Sequence, residues 1–208
     1  MKFLPALIAR IFLRILPITA LAMAAPLTRA TSVVPPSFSD LVNKSDYIVR
    51  GVVKSVSSEL IEDAQGRRIV THVEIDVRQV IAGTPPAHLV LDMLGGTVGR
   101  ETLTVHGAPK FAVGDEDILF IQGNGTNFNP LVAMMHGRYP ILADSTGRTF
   151  VARNNGRPLY SEDDVSLPME STSAVNAAHA SAAPLTPDAF VAKIQAAHNP
   201  SSRSTLEN

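Results

Sequence analysis

Tyr47-Ile-Val-Arg-Gly-Val-Val-Lys-Ser-Val56 is the stretch on which the fold turns. β-Branched and aromatic residues fill it, the composition of a pleated, half-buried strand. Gly51 stands in its middle, where a glycine weakens a flat strand and marks a bulge or tight bend. A long strand that bends can pair with neighbours on both sides, which is what a small closed sheet requires.

Punctuation on either side supports a β-rich reading. Just upstream, Ser37 is placed to cap a short helix, with Asp40 three residues on to complete a capping box. Phe38, Leu41 and Val42 give that helix one apolar face, and it ends near Ser45-Asp46. Downstream, Glu62 to Gly66 is a turn. Thr71, Val73, Ile75 and Val77 then alternate strictly with His72, Glu74, Asp76 and Arg78, so one strand face is core and the other solvent. After Gly83-Thr-Pro-Pro86, further strands are predicted at His88–Leu94, Glu101–His106 and Asp117–Gln122. The unbroken Ile118-Leu-Phe-Ile121 run suggests cover on both faces. Leu131–Met135 with Arg138–Leu142 reads as one bent strand, and Thr149–Ala152 as a short last one. Several short strands separated by turns imply a sandwich or a small barrel, and Gly51 tips the choice towards the barrel.

The barrel domain is assigned to residues 37–160, after an extended lead-in at 25–36. Residues 161–183 carry few large apolar groups and read as a flexible linker. Thr186-Pro187-Asp188 then caps an amphipathic helix within 184–199, with Phe190, Ile194 and Ala197 in its stripe. So short a helix is unstable alone and must dock on something. Residues 200–208 read as a disordered tail.

Residues 1–24 address the chain. Lys2, Arg10 and Arg14 precede the apolar Ile15–Leu21 run, and Ala22-Met23-Ala24 supplies small residues at A-x-A spacing, the pattern of a secretory signal peptide. A second candidate cleavage point follows Ala30. The apolar part ends by Leu27 and contains Pro17 and Pro26, short of the roughly twenty residues a membrane-spanning helix needs. The expected location is therefore the periplasm or the exterior, without stable membrane insertion after cleavage. Without residues 1–24 the chain has 15 basic against 19 acidic side chains, which argues against a nucleic-acid partner. With no cysteine, disulfide staples, thiolate chemistry and Cys-based zinc sites are excluded.

Several pieces together carry a resemblance: Phe38–Val53, Val80-Ile-Ala-Gly83, Gly95-Gly-Thr-Val-Gly99, Gly107–Asp115 with Ile118-Leu-Phe-Ile121, and Pro187–Ile194. As a set they resemble a family of small exported bacterial proteins of unknown function. More distantly, the first strand is similar to that of netrin-like modules and tissue inhibitors of metalloproteinases. The resemblance implies a mainly β fold, a small OB-like β-barrel, closed or partly open, with a short N-terminal and a C-terminal amphipathic helix. Those inhibitors reach the protease zinc through an N-terminal cysteine, which this chain lacks, so their mechanism does not carry over.

Candidate chemistry is sparse. His72, Glu74 and Asp76 share a strand face and are metal-ligand types, but same-face positions lie about 7 Å apart, too far to converge on one ion. Asp115-Glu116-Asp117 lacks the spacing of a calcium loop and fits a charged turn, as does Glu162-Asp163-Asp164. Gly123-Asn-Gly125 is a hairpin turn and not a dinucleotide fingerprint. Gly95, Gly96 and Gly99 could cradle a ligand through backbone amides, making this the best loop to test. No nucleophilic elbow or paired-histidine zinc motif occurs. The expectation is a non-enzymatic binding protein, without cofactor or metal, whose partner is another exported protein, including a secreted protease, or a surface polymer. Recognition would use the loops at Gly95–Gly99 and Gly107–Gly114 and the face carrying His72, Glu74 and Asp76. The alternative is a hydrolase with a site around His106 and His136.

Overall fold

The computed structural model describes residues 34–64, 66–169 and 182–199. The expected signal peptide at 1–24, most of the expected lead-in, residues 170–181 of the expected linker and the expected tail at 200–208 lie outside them. The helix α1 (Phe38–Lys44) starts as its sequence demands. Ser37 caps it, and Asp40 reaches back to complete the capping box. Then β1 (Tyr47–Asp63) turns directly into β2 (Gly66–Gly83), and the two pair antiparallel along their whole length. The strands β3 (Leu89–Leu94), β6 (Glu116–Ile121), β7 (Arg138–Ala143) and β8 (Thr149–Val151) complete a sheet in the order β3-β2-β1-β6-β7-β8. Its pairings are antiparallel. Between β3 and β6, β4 (Gly96–Val98) and β5 (Glu101–Leu103) form a separate two-stranded hairpin. The fold is mainly β, and the six-stranded sheet is open, not closed into a barrel.

Gly51 does mark a bulge. The β1–β2 register shifts between Arg50 and Gly51, and again at Ile48/Val49 and Val53/Ser55. A Cβ at Gly51 would collide with the Ile75 side chain and come within 2.9 Å of the Asp76 carbonyl oxygen. Only a glycine lets the two backbones approach this closely.

The sheet separates two apolar clusters. In β6, Ile118 and Phe120 belong to one, while Leu119 and Ile121 belong to the other. That explains why Asp117 to Ile121 are all buried. The first cluster is roofed by α1 and by α2 (Pro187–His198), which buries Phe190, Val191 and Ile194. The Phe190 ring lies 5.2 Å from that of Tyr139, 5.9 Å from Phe38 and 6.2 Å from Phe120, centroid to centroid. A helix too short to stand alone is thus stabilised by aromatic packing. The second cluster lies under β1, β2 and β3, with Val73, Leu91 and Met93 at its centre.

Four predicted elements differ. Leu131 makes only an isolated bridge to Ile121, and Met134–Gly137 is a 3₁₀ helix, so the expected bent strand is only β7. The strand expected at Glu101–His106 stops at Leu103, and part of the Gly95–Gly99 loop is itself strand β4. In the stretch read as linker, Glu162–Ser166 form a 3₁₀ helix and Val165 is fully buried in the first cluster. Asp164 accepts from the backbone N–H groups of Tyr160 and Ser161, and Lys193 pairs with Glu162 at 2.7 Å. Low apolar content concealed a segment held by one valine and its polar ties.

Phe190→Ala should destabilise the fold by about 3–5 kcal/mol, the usual loss for a buried aromatic. Urea unfolding checks this, and a loss under 1 kcal/mol would mean that α2 docks only weakly.

Candidate functional site

Beside the β4–β5 hairpin lies a cleft of about 370 Å³. Val73, Met93, Val105 and Phe111 give it apolar surface, and the hydroxyl-bearing residues Ser58, Thr71, Thr97, Thr102 and Thr104 also line it. Lys110 is its only charged lining residue. The geometry follows from the chain order. β1 and β2 contribute Val56, Ser58, Thr71 and Val73, β3 contributes Met93, and the segment returning from β5 contributes Val105 and the run from Ala108 to Phe111. Such a mixture of apolar surface and a few polar groups is what ligand clefts present.

Both glycine-bounded loops singled out in the sequence meet here. Gly95 and Gly96 line the cleft together with Ala108, Pro109, Lys110 and Phe111. Gly96 has φ 132°, and a Cβ there would collide with the Thr71 and Ser58 hydroxyls. Its role is close packing of the hairpin on the β1–β2 ribbon. Ser58 and Thr71 share a hydrogen bond of 2.8 Å, and Thr71 Oγ1 donates to the Gly95 carbonyl at 2.6 Å. Gly99 sits at the hairpin turn and does not line the cleft.

The cleft wall at Lys110-Phe111 is fastened from behind by Arg138. Its guanidinium binds Asp117 through Nε at 2.8 Å and Nη2 at 3.1 Å, and Asp115 through Nη2 at 2.7 Å. It also donates from Nη1 to the Lys110 carbonyl and lies over the Phe111 ring at 4.4 Å. The acidic run 115–117 is accordingly spent on arginines, since Glu116 pairs with Arg50 at 2.7 Å. Burial pushes the Asp117 carboxyl up to about 6, against the opposing pull of Arg138. Desolvation therefore outweighs the ion pair at this carboxylate.

His72, Glu74 and Asp76 are not part of the cleft. They alternate with Thr71 and Val73 and so project from the opposite face of β2. Nor do they converge: Glu74 binds Lys54 at 2.7 Å and Ser55 at 3.0 Å, while Asp76 pairs with Arg78 at 2.9 Å. His72 instead bridges three strands, with Nδ1 at 2.6 Å from Asp92 on β3 and Nε2 at 3.0 Å from Glu59 on β1. Burial alone would lower its pKa, but the two carboxylates outweigh burial and raise it above the usual histidine value. Among the described residues no cluster of His, Asp and Glu is arranged to hold a metal ion, and no helix is long and apolar enough to cross a membrane. His106 is exposed after β5, whereas His136 is buried in the 3₁₀ helix, away from solvent.

Ser58 and Thr71 were not singled out from the sequence as site residues, and Lys110 only as part of the Gly107–Gly114 loop. Their convergence depends on pairing between segments far apart in the chain, for which no local periodicity gives a signal. Compared with known proteins, the chain matches no family model and no curated entry.

Two titrations follow. With its folded pKa raised, Asp117 binds its proton more tightly in the folded state. Its contribution is full below the unfolded value near 3.8 and is lost as pH rises through about 6. Thermal melts should therefore show wild type losing stability relative to Asp117→Asn between pH 4 and pH 6.5, and a relative gain would mean that the ion pair outweighs burial. For His72 the contribution is full below the unfolded value near 6.5 and is lost as pH rises through the higher folded one. In an NMR titration Asp92→Asn should lower the His72 pKa towards that ordinary value; an unchanged midpoint would remove Asp92 as a cause.

Proposed function

We propose that the protein is an exported, non-enzymatic binding module that holds its partner in the cleft beside the β4–β5 hairpin. The observation that carries this reading is the meeting of the 95–97 and 108–111 segments over apolar surface, with serine and threonine hydroxyls beside it. Export rests on the basic, apolar and small-residue pattern of residues 1–24. The fold fits a partly open, OB-like arrangement in which β1 serves two sets of neighbours, β2 on one edge and β6 on the other. The partner is another exported protein or a surface polymer, and the resemblance to a family of small exported bacterial proteins accords with that. The hydrolase alternative draws no support from an exposed His106 and a buried His136.

The test is retention of partners from the exported fraction by the tagged chain, wild type against Thr104→Trp. Thr104 is exposed and lines the cleft, so the indole obstructs it without entering the core. A partner held by wild type and lost by the variant is the expected result. Equal retention by both would remove the cleft from the mechanism.

A further inference from the structure

The chain itself closes two of the backbone edges of the sheet. At the β3 edge, the Asn124 side chain donates to the Val90 carbonyl at 2.7 Å and accepts from the Asp92 N–H at 3.4 Å. The Leu94 N–H donates to the Phe128 carbonyl at 2.7 Å. The Gly123-Asn-Gly125 turn thus acts as an edge plug. At the β8 edge, the Val151 N–H donates to Leu185 and the Val151 carbonyl accepts from Leu159, both at 2.9 Å. Capping of this kind is how native proteins prevent unwanted strand pairing.

The outer part of β1 presents an edge of another kind. β6 pairs with β1 only as far as Val52, and Gly114 and Asp115 add hydrogen bonds at Val53. Beyond that point β1 continues to Asp63 paired only with β2, and no other strand of the described residues joins it. Its free edge runs beside the cleft, which Val56 and Ser58 line. Val56 and Leu60 are 36% and 37% exposed, large for apolar residues on a strand. Across the gap, Lys110 is the one charged lining residue, and none of the described acids forms an ion pair with it.

Resting on the binding reading above, we infer that the cleft receives an extended segment of another polypeptide, which adds a strand to the free edge of β1 beyond Val53. Main-chain hydrogen bonds supply the pairing, while alternate side chains of the segment rest on Val56 and reach towards Phe111. The absence of carboxylates from the lining and the unengaged ammonium of Lys110 select a segment carrying an acidic group.

The probe is a library of short random peptides on phage, selected against the immobilised full chain, with the enriched peptide then measured by fluorescence anisotropy. The expected result has four parts. Thr104→Trp abolishes binding, and Lys110→Ala weakens it several-fold. N-methylation of alternate peptide amides weakens it by about tenfold or more, roughly 1.4 kcal/mol. Binding also slows amide exchange at Val56–Leu60. Failure to enrich any peptide, or binding indifferent to N-methylation, overturns strand addition. So do edge amides already protected in the free monomer, which would assign the edge to the chain's own remaining residues. A dimer by light scattering with protected edge amides would assign it to a second copy. If peptides fail but wild type still retains from the exported fraction a partner that Thr104→Trp loses, the binding module stands and only strand addition falls.

Discussion

β1 can be hydrogen-bonded on both edges only as far as Val53. Up to that residue it is a central strand, paired with β2 on one side and with β6 and the Gly114-Asp115 turn on the other. Past it, a bulge between Val53 and Ser55 redirects the strand, and β2 alone follows. The sheet divides at that point. The inner half carries the first core and both helices, the second core runs across the division through Val53, Val73 and Met93, and the outer half becomes a ribbon onto which the β4–β5 hairpin folds. The cleft is the space that this division leaves.

The wall of that space is held by an arrangement that is costly in itself. Asp117 is fully buried, and desolvation drives its carboxyl towards the neutral form although Arg138 binds it through two nitrogens. A buried pair of this kind contributes little net stability, whereas removing one partner strands the other. What the pair provides here is position. The same guanidinium holds Asp115, the Lys110 carbonyl and the Phe111 ring, so one side chain sets the returning segment against the cleft. Orientation is the use to which a planar, multiply donating guanidinium is best suited.

Local patterns made much of the fold legible. The Ser37–Asp40 capping box, the alternation from Thr71 to Val77, the apolar Ile118–Ile121 run and the Thr186-Pro187 helix start each act within a few residues, and each is found where the pattern places it. Gly51 was legible as a bulge because only a glycine admits the backbone of β2 so closely. Met134–Gly137 was not legible as a 3₁₀ helix, since its apolar content matches that of a strand. The segment 161–169 escaped because a single buried apolar residue, Val165, anchors it beside the buried carboxylate of Asp164. At the site, Gly95 and Gly96 could be singled out, and His72, Glu74 and Asp76 could be set on the face opposite Thr71 and Val73, but which face carries the cleft could not.

The sequence by itself determined a β-rich chain with a capped helix near each end of the domain, a bulged first strand and no thiol chemistry, because these depend on composition and on neighbours a few residues away. Only the tertiary structure decided that the sheet stays open and that Arg138 reaches Asp117. It alone brought Ser58, Thr71, Gly96 and Lys110 to one cleft and set that cleft on the face of β2 away from His72. Those outcomes depend on strand register and on contacts between segments far apart in the chain. Register arises from the sum of many pairings, so no short stretch of residues records it.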